Sequence, residues 1–126
     1  MKGELVPVVM IPRFTSYLGV GTYTTVPLDI SDFESITMEF WRGKLRSGTF
    51  TAYLEQASEP WEDNSLWSAL STINTADTSS FEDLTFSKVP YFRIRIVLAD
   101  PTFLASGITC WAAGFLRKRI PPGAGS

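Results

Sequence analysis

Few side chains in this chain can do chemistry, and the absent ones are the most informative. There is no histidine and a single cysteine, Cys110. Histidine is the commonest general base near neutral pH and the commonest metal ligand. Without it, Ser-His-Asp and Cys-His hydrolysis and His-ligated zinc are closed to the chain. The remaining reactive types are carboxylates and guanidiniums, led by Glu39, Glu55, Arg93 and Arg95. A carboxylate pair could supply the acid and base of glycoside hydrolysis. Neighbouring arginines would instead hold both groups ionised. A cross-strand charge ladder is therefore the expected role for these four, either as a solvated face or as a recognition surface for a charged partner.

Two acidic loops offer oxygen ligands. DISDFE carries Asp29, Asp32 and Glu34, and EPWEDN carries Glu59, Glu62, Asp63 and Asn64. Calcium needs roughly six to eight oxygens converging on one point, and neither run has the glycine and terminal glutamate of an EF-hand loop. Acidic, solubilising turns are expected, with a structural calcium as the sharper alternative. The GVG at 19–21 lacks the further glycine and lysine of a phosphate loop. Arg117, Lys118 and Arg119 form a short basic run on a chain of net charge −2, too small a field for direct nucleic-acid binding. No cofactor and no catalytic residue is expected.

The elements that must position these groups read as strands. Ile36, Met38 and Phe40 alternate with Thr37 and Glu39. Phe50, Ala52 and Leu54 alternate with Thr51, Tyr53 and Glu55, and Phe92, Ile94, Ile96 and Leu98 with Arg93 and Arg95. Period-2 alternation puts one face on a core and the other toward water or a partner. The short GKLRSG link at Gly43–Gly48 predicts a hairpin of strands 35–42 and 49–56. Further strands are expected at Leu5–Ile11, Tyr23–Asp29, Trp67–Ile73, Phe81–Ser87 and Ile108–Lys118, with a helix over Asn64–Ile73 as an alternative for that stretch. In the last strand Ile108, Cys110, Ala112 and Leu116 oppose Trp111, Ala113 and Phe115, so both faces are apolar. Such a strand is central, with its second face covered, either by the N-terminal segment or by a partner. Cys110 falls at core parity and is expected to be a buried, inert thiol.

About eight short strands with irregular links predict an all-β, antiparallel two-sheet sandwich, jelly-roll-like. Residues 1–21 are expected to be an extended N-terminal arm, 22–119 the sandwich and 120–126 a Pro/Gly tail. Pro7 and Pro12 remove ladder donors, which suits an edge position, and the arm's Leu5, Val6, Val8, Val9, Met10 and Ile11 are candidate partner contacts. At 126 residues one domain is expected. The longest apolar run, Gly107–Leu116, is about half the span a membrane helix requires. No secretory leader is expected in a proline-broken start, and one cysteine suggests a reducing compartment.

Aromatics are plentiful, with Trp41, Trp61, Trp67 and Trp111 beside nine Phe and four Tyr. Tryptophan and tyrosine serve both sugar stacking and protein interfaces. Trp41, Tyr53, Arg93 and Arg95 share outward parity on their strands and are the candidate interface residues.

The order of Glu55, Ser58, Asp63 and Trp67, followed by Phe92, Arg93 and Arg95, resembles the small β-sandwich accessory virion proteins of tailed bacteriophages. The resemblance runs from about Asp29 to Arg117, with EPWEDNS standing where an Asp-Gly turn is common. It implies a non-enzymatic structural role in a phage or phage-like virion: capsid decoration, minor capsid protein, or head or tail fibre attachment. Other virion proteins and further copies of the chain would be the partners, without membrane or direct nucleic-acid contact. The alternative is a carbohydrate-binding module stacking sugars on Trp41, Trp61 or Tyr53.

Overall fold

A computed structural model of the chain describes residues 3–45, 48–74, 78–87, 89–99 and 107–120. Residues 121–126 of the tail expected at 120–126, and the whole link between the last two strands, residues 100–106, lie outside the described residues. Among the described residues nine strands run in order: β1 (Leu5–Leu18), β2 (Gly21–Thr24), β3 (Leu28–Asp29), β4 (Phe33–Arg42), β5 (Thr49–Ala57), β6 (Ser68–Ile73), β7 (Ser79–Thr85), β8 (Tyr91–Ala99) and β9 (Gly107–Lys118). They form a two-sheet antiparallel sandwich. One sheet has the order β1-β9-β4-β7; the other has β2-β8-β5-β6, with β3 also on β8. The helical alternative at 64–73 reduces to one 3-10 turn, Asn64–Leu66, before β6 begins.

The alternation read from the sequence builds the core. Ile36, Met38 and Phe40 of β4 and Ile108, Cys110, Ala112 and Leu116 of β9 face Phe50, Ala52 and Leu54 of β5 and Phe92, Ile94, Ile96 and Leu98 of β8. Removing this apolar surface from water is the main source of stability.

The predicted hairpin of 35–42 with 49–56 does not form. Strand β4 pairs with β7 and β9, whereas β5 pairs with β6 and β8. The short link crosses from one sheet to the other, and the two strands meet face to face: the Phe40 and Phe50 ring centroids lie 5.9 Å apart. A short loop between amphipathic strands serves either geometry. Burying both apolar faces favours the crossing, since a sandwich needs an apolar face from each sheet.

Residues 5–18 are not a free arm. They form the edge strand of the first sheet, antiparallel to β9 from Leu5↔Arg117 to Leu18↔Gly107. Pro7 and Pro12 sit where a missing donor is tolerated. Val8 and Met10 pack on the core and Ile11 is fully buried, so inward alternation ties the segment to its own sheet. The ladder slips between Val9 and Ile11 and again between Ile11 and Thr15. At this bulge Phe14 takes φ 60°, a left-handed conformation that a bulky residue adopts only under local constraint.

Two close approaches shape the first sheet's neighbourhood. Gly114 packs so tightly against β4 that an added Cβ would run into the Thr37 carbonyl oxygen and Met38 Cα. Near the β1–β2 turn, Tyr23 Oη donates to the Leu18 and Gly19 carbonyls at 2.6 and 2.9 Å, and Gly19 has φ 89°.

The Cys110 thiol lies in this core, and burial pushes its pKa up to about 12. The nearby Tyr17 hydroxyl is raised too, by burial first and by Cys110 second. The thiolate that reacts with electrophiles is therefore disfavoured in the fold and accessible on unfolding. Iodoacetamide at neutral pH is expected to leave Cys110 unmodified in native buffer and to alkylate it fully in urea, as read by intact mass. Stoichiometric labelling of the native chain would contradict this placement.

Candidate functional site

The two outer faces of the sandwich differ in chemistry. On the β2-β8-β5-β6 sheet, Glu55 of β5 stands opposite Arg93 of β8, and Tyr53 opposite Arg95. Arg93 Nε and Arg95 Nε both donate to Glu55 Oε1 at 3.1 Å, and Arg95 Nη2 donates to Oε2 at 3.1 Å. Two guanidiniums thus share one carboxylate. The Arg93 guanidinium stacks 4.2 Å from the Trp67 ring, and that of Arg95 stacks 4.2 Å from Tyr53.

This cluster is roofed. Residues 58–67 fold back over β5 and β8, and Arg93 Nη2 donates to Asn64 Oδ1 at 2.7 Å. Trp67 Nε1 donates to the Trp61 carbonyl at 2.9 Å. Asp63 caps the 3-10 turn by accepting from the Ser65 hydroxyl and amide, which lower its pKa in that order. Asp29 makes the same turn with Ser31, with the same effect. Both acidic loops thus use an aspartate as a turn-former. Among the described residues, no three or more Cys, Asp or Glu side chains are grouped to hold a metal ion.

As a result Glu55 is 1% exposed and Arg93 3% exposed, where the sequence suggested an open charged face. Burial lowers the Arg93 pKa, and Glu55 opposes that shift. The guanidinium stays charged at any ordinary pH. Of the expected four-member ladder, Glu39 is absent, because it lies on the other sheet.

That other face, on β1-β9-β4-β7, carries exposed aromatic and aliphatic side chains, with the exposed carboxylates of Glu39 and Asp83 among them. Val9, Ala113, Glu39 and Phe81 stand in one cross-strand row. Pro7, Phe115, Thr37 and Asp83 form the next, and Trp111 pairs with Trp41 in a third. Val9, Phe14, Phe81 and Phe115 are each between 49% and 73% exposed. The β1 bulge swings Phe14 edge-on to Trp41, centroids 6.3 Å apart, and sets Arg13 5.0 Å above the Trp111 ring. The N-terminal strand therefore flanks β9 instead of covering its second face, and only residues 13 and 14 lean over it.

The candidate residues are accordingly split. Leu5, Val9 and Trp41 belong to the apolar face. Tyr53, Arg93 and Arg95 lie across the sandwich in the roofed cluster. Val6 is half-buried on β1, Val8 and Met10 are turned to the core, and Ile11 is within it. Sequence reasoning missed Arg42, which is buried at inward parity with its guanidinium 5.6 Å from the Phe50 ring. Extending the Ile36, Met38, Phe40 alternation by two residues reaches it. Phe14 and Phe81 were also missed as face residues.

No protein-family model matches the chain, and no curated protein matches it by sequence. Solved structures share its fold. The periplasmic g-type lysozyme inhibitor PliG of Aeromonas hydrophila aligns over 90% of this chain and 87% of its own, at TM-score 0.50 and 12% identity. The infectious bursal disease virus Gx strain aligns over 96% of this chain at TM-score 0.55 and 13% identity. The VP2 subviral particle of the same virus aligns over 96% at TM-score 0.53 and 13% identity. The alignment spans about a third of those viral chains, 35% and 34%. At these identities the likeness shows a common β-sandwich fold.

Proposed function

We propose that the chain is a non-enzymatic structural protein of a phage or phage-like virion, and that it packs against protein neighbours, including its own copies, through the outer face of the β1-β9-β4-β7 sheet. The observation that carries this reading is the set of exposed side chains Val9, Phe14, Phe81 and Phe115 on the face that also holds Trp41 and Trp111. Exposed apolar side chains set among polar residues in this way mark interaction sites on soluble proteins, and aromatic rings beside arginine are the residue types that dominate binding energy. The sandwich fold shared with a viral particle protein agrees with this role, as does the sequence resemblance to accessory virion proteins.

The test is the mass of the full chain in solution as concentration rises. Self-association is expected. Truncating a central aromatic typically removes about 2 kcal/mol of binding, so Trp41→Ala should weaken association roughly 30-fold while leaving the melting temperature nearly unchanged. Phe81→Asp and Phe115→Asp should act in the same direction. Tyr53→Ala, across the sandwich, should leave association intact. A monomer at every concentration that also fails to co-purify with particles would overturn the proposal.

A further inference from the structure

The roofed side of the sandwich holds a cleft that assembly through the opposite face leaves open. It lies between residues 58–67 and the β2–β3 segment, has a volume of about 380 Å³, and is lined by Thr24, Thr25, Pro27, Pro60, Trp61, Glu62, Asn64 and Arg93. This is within the size range of small-ligand sites.

Its chemistry is mixed in a particular way. Arg93 presents a buried cation at the floor, where two guanidiniums share the single Glu55 carboxylate. The Asn64 amide oxygen is taken by Arg93, which leaves its NH₂ group as a donor. Glu62 is exposed and supplies an acceptor; no ion pair or side-chain hydrogen bond engages it among the described residues. Trp61, 41% exposed, adds a large aromatic surface at the rim. A simple anion would meet Glu62, a simple cation would meet Arg93, and a wholly apolar ligand would strip water from both. A pyranose suits all of these groups: its hydroxyls both donate and accept, and its C–H face packs on an aromatic ring.

The cleft is also held in shape before any ligand arrives. The Trp61 carbonyl is tied to Trp67, Asn64 is tied to Arg93, and the facing segment is anchored by Thr25 N to the Ile94 carbonyl and by Ile94 N to Thr25 Oγ1, each at 2.9 Å. Preorganisation of this kind reduces the entropy lost on binding.

We infer that this cleft binds one pyranose unit of a neutral glycan. Copies assembled through the opposite sheet would present several clefts together, and multivalency would raise a weak single-site affinity. The inference does not depend on the assembly reading, because the two surfaces lie on opposite sheets.

The experiment is a printed array of neutral hexose- and N-acetylhexosamine-terminated oligosaccharides, alongside acidic ones, probed with the full chain. The best-bound sugar is then followed by saturation-transfer NMR. Binding to at least one neutral glycan is expected. Trp61→Ala should reduce it about tenfold at unchanged melting temperature, since the tie to Trp67 uses the Trp61 backbone. Glu62→Lys, at an exposed position, provides a second variant that should also lose binding without touching the loop's packing. No neutral glycan bound, binding restricted to acidic glycans, or binding unchanged in both variants would overturn the assignment.

Discussion

Replacing Glu55 by alanine is expected to destabilise the fold by about 3–5 kcal/mol, the range for removing one partner of a buried ion pair. The cost comes less from the bond lost than from what is left behind. Arg93 is enclosed beneath Trp67 and Asn64, and its charge would lose its counter-ion at a position only 3% exposed. Arg95, with a side chain 20% exposed, can turn partly to solvent, which places the effect below the sum for two isolated buried cations. Equilibrium unfolding in urea measures it; a loss under about 1 kcal/mol would show that the cluster is solvated. Replacing all three charged residues by apolar ones of similar volume is a useful contrast, because such exchanges are often neutral. The network's particular role is then visible as loss of the 58–67 roof, whose contact through Asn64 disappears.

Gly114→Ala is expected to cost about 3 kcal/mol, the upper end of overpacking penalties. The added methyl would lie against the backbone of Thr37 and Met38, and backbone in a paired strand cannot rotate away as a side chain can. Relief requires β9 and β4 to separate, which breaks the central ladder of the first sheet. The melting temperature reports this directly. A change within about 0.5 kcal/mol, typical of surface substitutions, would contradict the close approach. Because the same strands carry Trp41, Trp111 and Phe115 on their outer face, this variant should weaken self-association as well as stability. Trp41→Ala should affect association alone.

Strand identity was legible because it is local. The alternations at Ile36–Phe40, Phe50–Leu54 and Phe92–Leu98 each put their apolar members into the core. Parity also set Tyr53, Glu55, Arg93 and Arg95 outward on their strands. Parity does not say what lies above a face: the roof over Arg93 comes from residues 58–67, and its decisive contact is Trp67 stacking on a guanidinium from another strand. Nor does it say which sheet a strand joins, so Trp41 and Arg93, alike in parity, stand on opposite sides of the molecule. The place of the N-terminal segment is non-local for a related reason. Its prolines suit an edge, but whether that edge belongs to its own sheet depends on the distant β9. The Glu62–Trp61–Arg93 cleft is a product of the same non-local folding, and only Trp61 in its polar loop signalled it.

The most direct measurement of the assembly role is hydroxyl-radical footprinting of the full chain, compared between dilute and self-associated states. Trp41, Trp111, Phe81 and Phe115 are expected to become protected on association, while Trp61 reacts equally in both. Unchanged reactivity of the sheet-face rings, or protection confined to Trp61 and the 58–67 segment, would contradict assembly through the β1-β9-β4-β7 face.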